Sequence, residues 1–392
     1  MSTILSFALI PLSGFATDIY IPSLPSMASD LHVSSSAVQL SLVIFMVSSG
    51  ISQLFVGSLL DSFGRFRLNI AALLVFALAS FAIAQTHNIY MIYAMRVIHG
   101  ITVALIVVSK RAYFVDIYSG EKLKHYVSLF SIIWATAPII APFLGGYLQA
   151  SFGWQSNFYF LGIVTLVILV LELIYSGESL KNFHPFHLGK IAGVYGTMIR
   201  TADFGIALII IALSYSMLVV YGMISPFIIE HVLHYSPVVT GDCALFSGVA
   251  LMTGGMISKA LIKKPMVKKV GIAIMLQVVF ATAMIASAGY MTSLYALMPF
   301  VLALHLLAGF TFNNLFAYCL GRFPKNAGIA GGVTGGSLFI ITSFFSYGIV
   351  NSVHIRNQGQ LGGAYLTLAL LLCITFFIFV RIRYSLTRPD LA

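Results

Sequence analysis

Charge is the first thing this chain lacks. Only 8% of its 392 residues are Asp, Glu, Lys or Arg, against about a quarter in ordinary soluble domains. A compact soluble body has to cover its outside with polar groups. With 59% hydrophobic residues and a mean hydropathy of +0.99, this chain has too few of them. Lipid on the outside resolves the shortage, so composition points to a polytopic α-helical membrane protein.

Other absences narrow the function. The three cysteines, Cys243, Cys319 and Cys373, fall in or beside apolar runs and form no Cys-x-x-Cys pair. Neither a disulfide scaffold nor a zinc site is indicated, and no metal is expected. There is no glycine-rich Walker loop, so ATP is not an expected energy source. No nucleophile–base pair or metal cluster stands out, which argues against an enzyme and against a cofactor. The N-terminus lacks a basic leader segment and a small-residue cleavage site, so no cleavable signal is expected. The net charge is +10, but the cations are scattered and have no interleaved aromatics on a polar face. Nucleic acid is therefore not an expected partner.

Long apolar runs are what the chain has instead. Twelve candidate spans lie near 3–25, 37–60, 69–85, 88–110, 126–149, 156–175, 202–228, 240–262, 270–288, 291–318, 326–351 and 362–382. The cations support this count. With both termini cytoplasmic, Arg65, Arg67, Lys110, Arg111, Lys122, Lys124, Lys181, Lys190 and Arg200 fall on the inner side. So do Lys259, Lys263, Lys264, Lys268, Lys269, Arg322, Lys325, Arg381, Arg383 and Arg388. Of the 21 Lys and Arg, only Arg96, within a span, and Arg356, in an outer loop, are left over.

The longest interior polar segment, 176–201, separates a six-span half at 1–175 from another at 202–392. That is the layout of a transporter built from two parallel repeats. A polar turn, Gly57-x-x-x-Asp61-x-x-Gly64-Arg65-x-Arg67, joins spans two and three. Lys263-Lys264-Pro265-Met266-Val267-Lys268-Lys269 holds the matching place in the second half, without the acid.

Asp18 is the most informative acid. A carboxylate in the first span is costly in lipid, so it should face the interior or a cavity. Apolar surroundings favour its neutral form and a nearby cation its charged form, so movement between the two would load and release a proton. The alternative is a cap or strap between neighbouring helices. Pro22 and Pro25 are expected to end the span. Arg96, in the fourth span, is a plausible partner for Asp18 across a cavity, and His99 shares its helix face. His99 reads equally as a proton relay or as a packed residue, and His305 leans to packing. In the fifth span Pro138, Pro142, Gly145 and Gly146 make a bent, smooth-surfaced helix, suited either to a mobile contact or to a static kink. Tyr20, Gln39, Tyr221, Asn313 and Asn314 are candidates to line a broad cavity for an apolar or aromatic substrate.

These stretches resemble known signatures. The turn at 57–67 looks like the cytoplasmic motif between helices two and three of the major facilitator superfamily. Arg96 to Gly100 resembles its helix-four motif, with His99 where that pattern usually has Gln. Pro138 to Gly146 resembles its helix-five antiporter motif. Asp18-x-Tyr20-x-Pro22-x-x-Pro25 and Ala137 to Pro142 look most like the Bcr/CflA subgroup of twelve-helix drug:proton antiporters. The resemblance implies an all-α membrane protein with the major facilitator fold, twelve transmembrane helices in two pseudo-symmetric six-helix halves. It implies a monomeric, proton-coupled antiporter of a bacterial inner membrane, exporting small amphipathic or drug-like compounds by alternating access. The alternative is a dedicated metabolite or siderophore transporter of the same fold. By the same resemblance, Asp18, Arg96 and His99 would serve proton coupling. Gly57, Asp61, Gly64, Arg65, Arg67 and Asp116 would form the cytoplasmic latch, and Pro138, Pro142, Gly145 and Gly146 the conformational motif.

Overall fold

The computed structural model describes residues 1–181, 183, 193, 195–198, 200–290, 293–323, 327–353 and 357–387. Lys190, Lys325, Arg356 and Arg388, used in the charge count, lie outside the described residues, as does most of the stretch 182–192.

Every regular element among the described residues is helical, as lipid requires of a chain that must satisfy its own backbone. The first span is interrupted. Helices α1 (Ser2–Leu9) and α2 (Leu12–Asp18), a single 3-10 turn (Ile21–Ser23) and α3 (Leu24–Asp30) follow one another. Together they make one apolar run, Ser2–Asp30. Pro22 and Pro25 were expected to end the span. Instead each sits in the opening turn of a new helical piece, where a missing N–H costs nothing. The prolines break the span without stopping it.

The first half continues with α4 (Ser35–Phe63), α5 (Arg65–Gln85), α6 (Ile89–Ile117), α7 (Gly120–Phe152) and α8 (Gln155–Tyr175). The second half runs α9 (Ala202–Phe227), α10 (Pro237–Ala260), α11 (Met266–Ser287), α12 (Leu294–Arg322), α13 (Ala327–Val353) and α14 (Gln358–Thr387). Eleven helical runs among the described residues are long and apolar enough to cross a membrane. Helix α7, 33 residues long, holds the fifth expected span and completes twelve.

Three helices start where the N-cap side chain satisfies an orphan amide. Ser34 Oγ accepts from Ala37 N at 3.3 Å, Asn88 Oδ1 from Tyr90 N at 2.9 Å and Ser293 Oγ from Ala296 N at 3.2 Å. Several helices overrun the expected spans at their charged ends. Helix α6 continues to Ile117 and α12 to Arg322. Arg111 and Arg322, beyond the expected span ends, are therefore helical.

By its contacts the chain divides into two compact units. The first is Met1–Gly189 with Tyr235–Leu245, so it includes the opening turns of α10. The second is Lys190–His234 with Phe246–Ala392.

Candidate functional site

Arg96 is fully buried in the first unit, and its partners are all uncharged. Its Nη2 donates to Tyr20 Oη at 3.3 Å and its Nε to the Ser41 carbonyl at 3.4 Å. The guanidinium carbon lies 4.7 Å from the Tyr20 ring centroid and 4.4 Å from that of Phe45. Nη1 lies 3.3 Å from His99 Nδ1. A guanidinium has only protons to offer, so Nδ1 accepts. The ring proton of neutral His99 is then on Nε2, which reaches Ser80 Oγ at 3.0 Å, and Ser80 donates onward to the Phe76 carbonyl at 2.9 Å. Phe76 also stacks on the imidazole at 4.3 Å.

Asp18 closes α2, at the break in the first span, and is 7% exposed. Its Oδ2 is buried and has no hydrogen-bond partner among the described residues. No ion pair joins it to Arg96 there. Asp18 and Arg96, read from sequence as partners, act on each other through their charges without touching; neutral groups hold the cation, and the acid sits at a backbone break.

Helix α7 packs on that break. A Cβ added at Gly145 would lie 1.6 Å from the Ile19 carbonyl oxygen, so only glycine permits the approach. One added at Gly146 would lie 2.6 Å from the Pro237 carbonyl oxygen, at the start of α10 within the same unit. Pro138 and Pro142 are buried in α7 on the way to this contact.

The polar turn between α4 and α5 is a closed network. Arg65 Nη2 meets Asp61 Oδ1 at 3.1 Å, and Arg65 Nη1 pairs with Asp116 Oδ2. Ser179 Oγ donates to the same Asp116 oxygen at 2.8 Å. Gly64 takes φ +92° to turn the chain, a conformation that favours glycine. Arg67 is exposed, and a Cβ at Gly57 would meet nothing within 4 Å. Sequence reasoning missed Glu178. Its Oε1 accepts from Arg65 N and its Oε2 from Phe66 N, each at 3.1 Å, capping α5.

Glu172 was missed as well. It is fully buried in α8 and holds Lys110 Nζ at 2.5 Å. Asn69 Nδ2 reaches the same Oε2 at 3.4 Å. The available signal was an acid inside the apolar run Leu171-Glu172-Leu173-Ile174.

In the second unit the proposed cavity residues are engaged locally. Tyr221 Oη lies 3.5 Å from Met298 Sδ. Asn313 Nδ2 donates to the Gly255 carbonyl and Ser258 Oγ, both at 3.2 Å, and Asn314 Nδ2 donates to the Phe310 carbonyl at 2.8 Å. His305 sits between Ser247 Oγ at 2.7 Å and Tyr365 Oη at 3.1 Å. In the first unit Tyr20 joins Arg96, and Gln39 is buried. Among the described residues no group of His, Cys, Asp and Glu is arranged to hold a metal ion.

Against known proteins, the sequence model described as Major Facilitator Superfamily matches residues 7–346. The "Uncharacterized MFS-type transporter YdgK" of Bacillus subtilis is 30% identical over 244 residues, 61% of each chain. The "Bicyclomycin resistance protein homolog" of Haemophilus influenzae is 32% identical over 183 residues, 46% of each. The chain thus spans less than two thirds of the length of these two relatives. The "Multidrug resistance protein MdtL" of Salmonella typhimurium is 26% identical over 337 residues, 84% of this chain and 83% of that one. The crystal structure of a D-xylose-proton symporter shares the fold, with a TM-score of 0.67 at 16% identity over 94% of this chain and 96% of that one.

Proposed function

The chain belongs to the Major Facilitator Superfamily, and on that basis we propose that it is a proton-coupled antiporter exporting small amphipathic compounds by alternating access. The relatives named as multidrug and bicyclomycin resistance proteins support the substrate class. Asp18 supports the coupling. It is a buried carboxylate with an unpartnered oxygen, placed where the first span already breaks. A discontinuous helix near an intramembrane charge is a recurring place for ion and substrate sites in transporters.

In this scheme Asp18 is the carrier and Arg96 the fixed charge. Neutral partners hold the guanidinium in place without cancelling it. Ionised Asp18 gains by moving toward Arg96, and protonated Asp18 is at ease in the apolar break. The α4–α5 turn, with Arg65 tied to Asp61 and Asp116, is the cytoplasmic latch that has to open in the cycle. Both termini face the cytoplasm of a bacterial inner membrane.

Everted membrane vesicles test the proposal. Adding a transported compound should release protons from energised vesicles. The Asp18→Asn variant should insert normally and show no proton-linked flux. Flux that is indifferent to an uncoupler in the native protein would sink the proposal.

A further inference from the structure

The second unit carries a concentration of positive charge that the transport cycle does not use. Lys259, Lys263, Lys264, Lys268 and Lys269 fall within eleven positions around the α10–α11 turn, and the sequence has no acid anywhere between Asp242 and Asp390. The first four of these lysines are exposed. Among the described residues of this unit the acids are Asp203 and Glu230. Asp203 opens α9, at the same end as the lysines, but it is occupied by Arg322 Nε at 2.7 Å and by Tyr318 Oη at 2.5 Å. Glu230 lies past the far end of α9. No described ion pair involves the five lysines.

The turn is also built to hold a shape. Lys269 Nζ donates to the Leu261 carbonyl at 3.1 Å, closing the loop back on the end of α10, and lies 5.9 Å from the Phe310 ring centroid. Between the lysines the turn exposes apolar side chains, Leu261 at 38% and Ile262 at 74%. The turn links two spans, so it lies at a membrane surface. Exposed apolar groups among cations at that depth are suited to insertion among lipid headgroups.

We propose that the α10–α11 turn is a binding surface for anionic phospholipid headgroups. Lys259, Lys263, Lys264 and Lys268 meet the lipid phosphates, Ile262 enters the acyl boundary, and Lys269 fixes the turn. The missing counter-charge is supplied by the bilayer, not by the protein. A lysine near an anionic surface contributes about a fivefold bias in binding, and the four together are enough to enrich such lipids around this edge of the second unit.

The test uses the full-length protein carrying Ile262→Trp, reconstituted in phosphatidylcholine vesicles. Brominated phosphatidylglycerol and brominated phosphatidylcholine are compared as quenchers at matched mole fractions, with the signal of the native tryptophans subtracted. Phosphatidylglycerol should associate with the added tryptophan at least about fivefold more strongly, and ~1 M salt should remove the preference. Replacing Lys259, Lys263, Lys264 and Lys268 by Gln should bring the ratio to about one, and replacing them by Arg should preserve it. Equal quenching by the two lipids in the native background overturns the proposal and leaves the lysines as an orientation signal. A preference that survives the four Gln substitutions also overturns it. So does a preference abolished by inorganic phosphate but not by chloride at equal ionic strength, since the ligand is then free phosphate. If the Gln variant fails to insert, the salt titration and the Arg variant decide.

Discussion

Lys110 Nζ of α6 lies 2.5 Å from Glu172 Oε2 of α8, with both side chains buried beside Asn69 of α5. A buried pair of this kind adds little over well-packed apolar residues, but removing one member strands the other charge at a cost of about 3–5 kcal/mol. Lys110→Met and Glu172→Leu should therefore each be severely destabilised, and the double variant should recover most of the loss. Thermal unfolding of the four purified proteins in detergent gives the coupling energy directly. Additive losses would show that the pair does not act as a unit.

Glu178 is 113 positions from Arg65 in sequence, and it caps the helix that Arg65 opens. A carboxylate at a helix N-terminus satisfies orphan amides and complements the dipole, for about 1–2 kcal/mol together. Glu178→Ala should lower the unfolding midpoint and increase protease access at the α4–α5 turn. Gly64→Ala should be worse, because its backbone is at φ +92° and the new Cβ would fall 2.6 Å from Glu178 Oε2. A Glu178→Ala protein that melts with the native one would remove the cap from the account.

The contrast between these two sites marks what sequence discloses in this chain. Twelve spans and the conspicuous charges Asp18, Arg65 and Arg96 were legible because lipid punishes polarity and helices need length. The turn's pairing with Asp116 was available only through family resemblance. Lys110 was legible only as an inner-side cation at the expected end of its span, because α6 continues seven residues further and its partner Glu172 is on a different helix. The Glu178 cap and the neutral cage of Arg96 depend on which faces of distant helices meet, which hydropathy does not encode. The break at Asp18 was half legible. The prolines announced an interruption, while the helical restart at Leu24 depends on proline's fit to a first turn.

Gly145 governs how closely α7 can approach that break. Alanine there would put a Cβ 1.6 Å from the Ile19 carbonyl oxygen, one peptide from Asp18. Overpacking of this sort costs about 1–3 kcal/mol, so Gly145→Ala should slow transport by roughly 10- to 100-fold while normal amounts reach the membrane. Vesicle flux normalised to protein level is the measurement. Native flux in this variant would mean that α7 does not stay against the break during the cycle.

His99 separates two accounts of the Arg96 cluster. The ring accepts from Arg96 through Nδ1 and reaches Ser80 through Nε2. To take up a proton at Nδ1 it would first have to release the guanidinium. On this geometry we propose that it positions Arg96 and does not carry protons. A glutamine reproduces both bonds, its carbonyl oxygen accepting from Arg96 and its amide donating to Ser80, but it cannot titrate. His99→Gln should therefore keep native flux and native dependence on the proton gradient. His99→Ala, which leaves Arg96 and Ser80 short of a partner, should lose most of the transport, because a buried charged donor stripped of an acceptor costs about 1–3 kcal/mol or more. Loss of proton-linked flux in His99→Gln, with the protein folded and inserted, would reverse the assignment and make the imidazole itself part of the proton path.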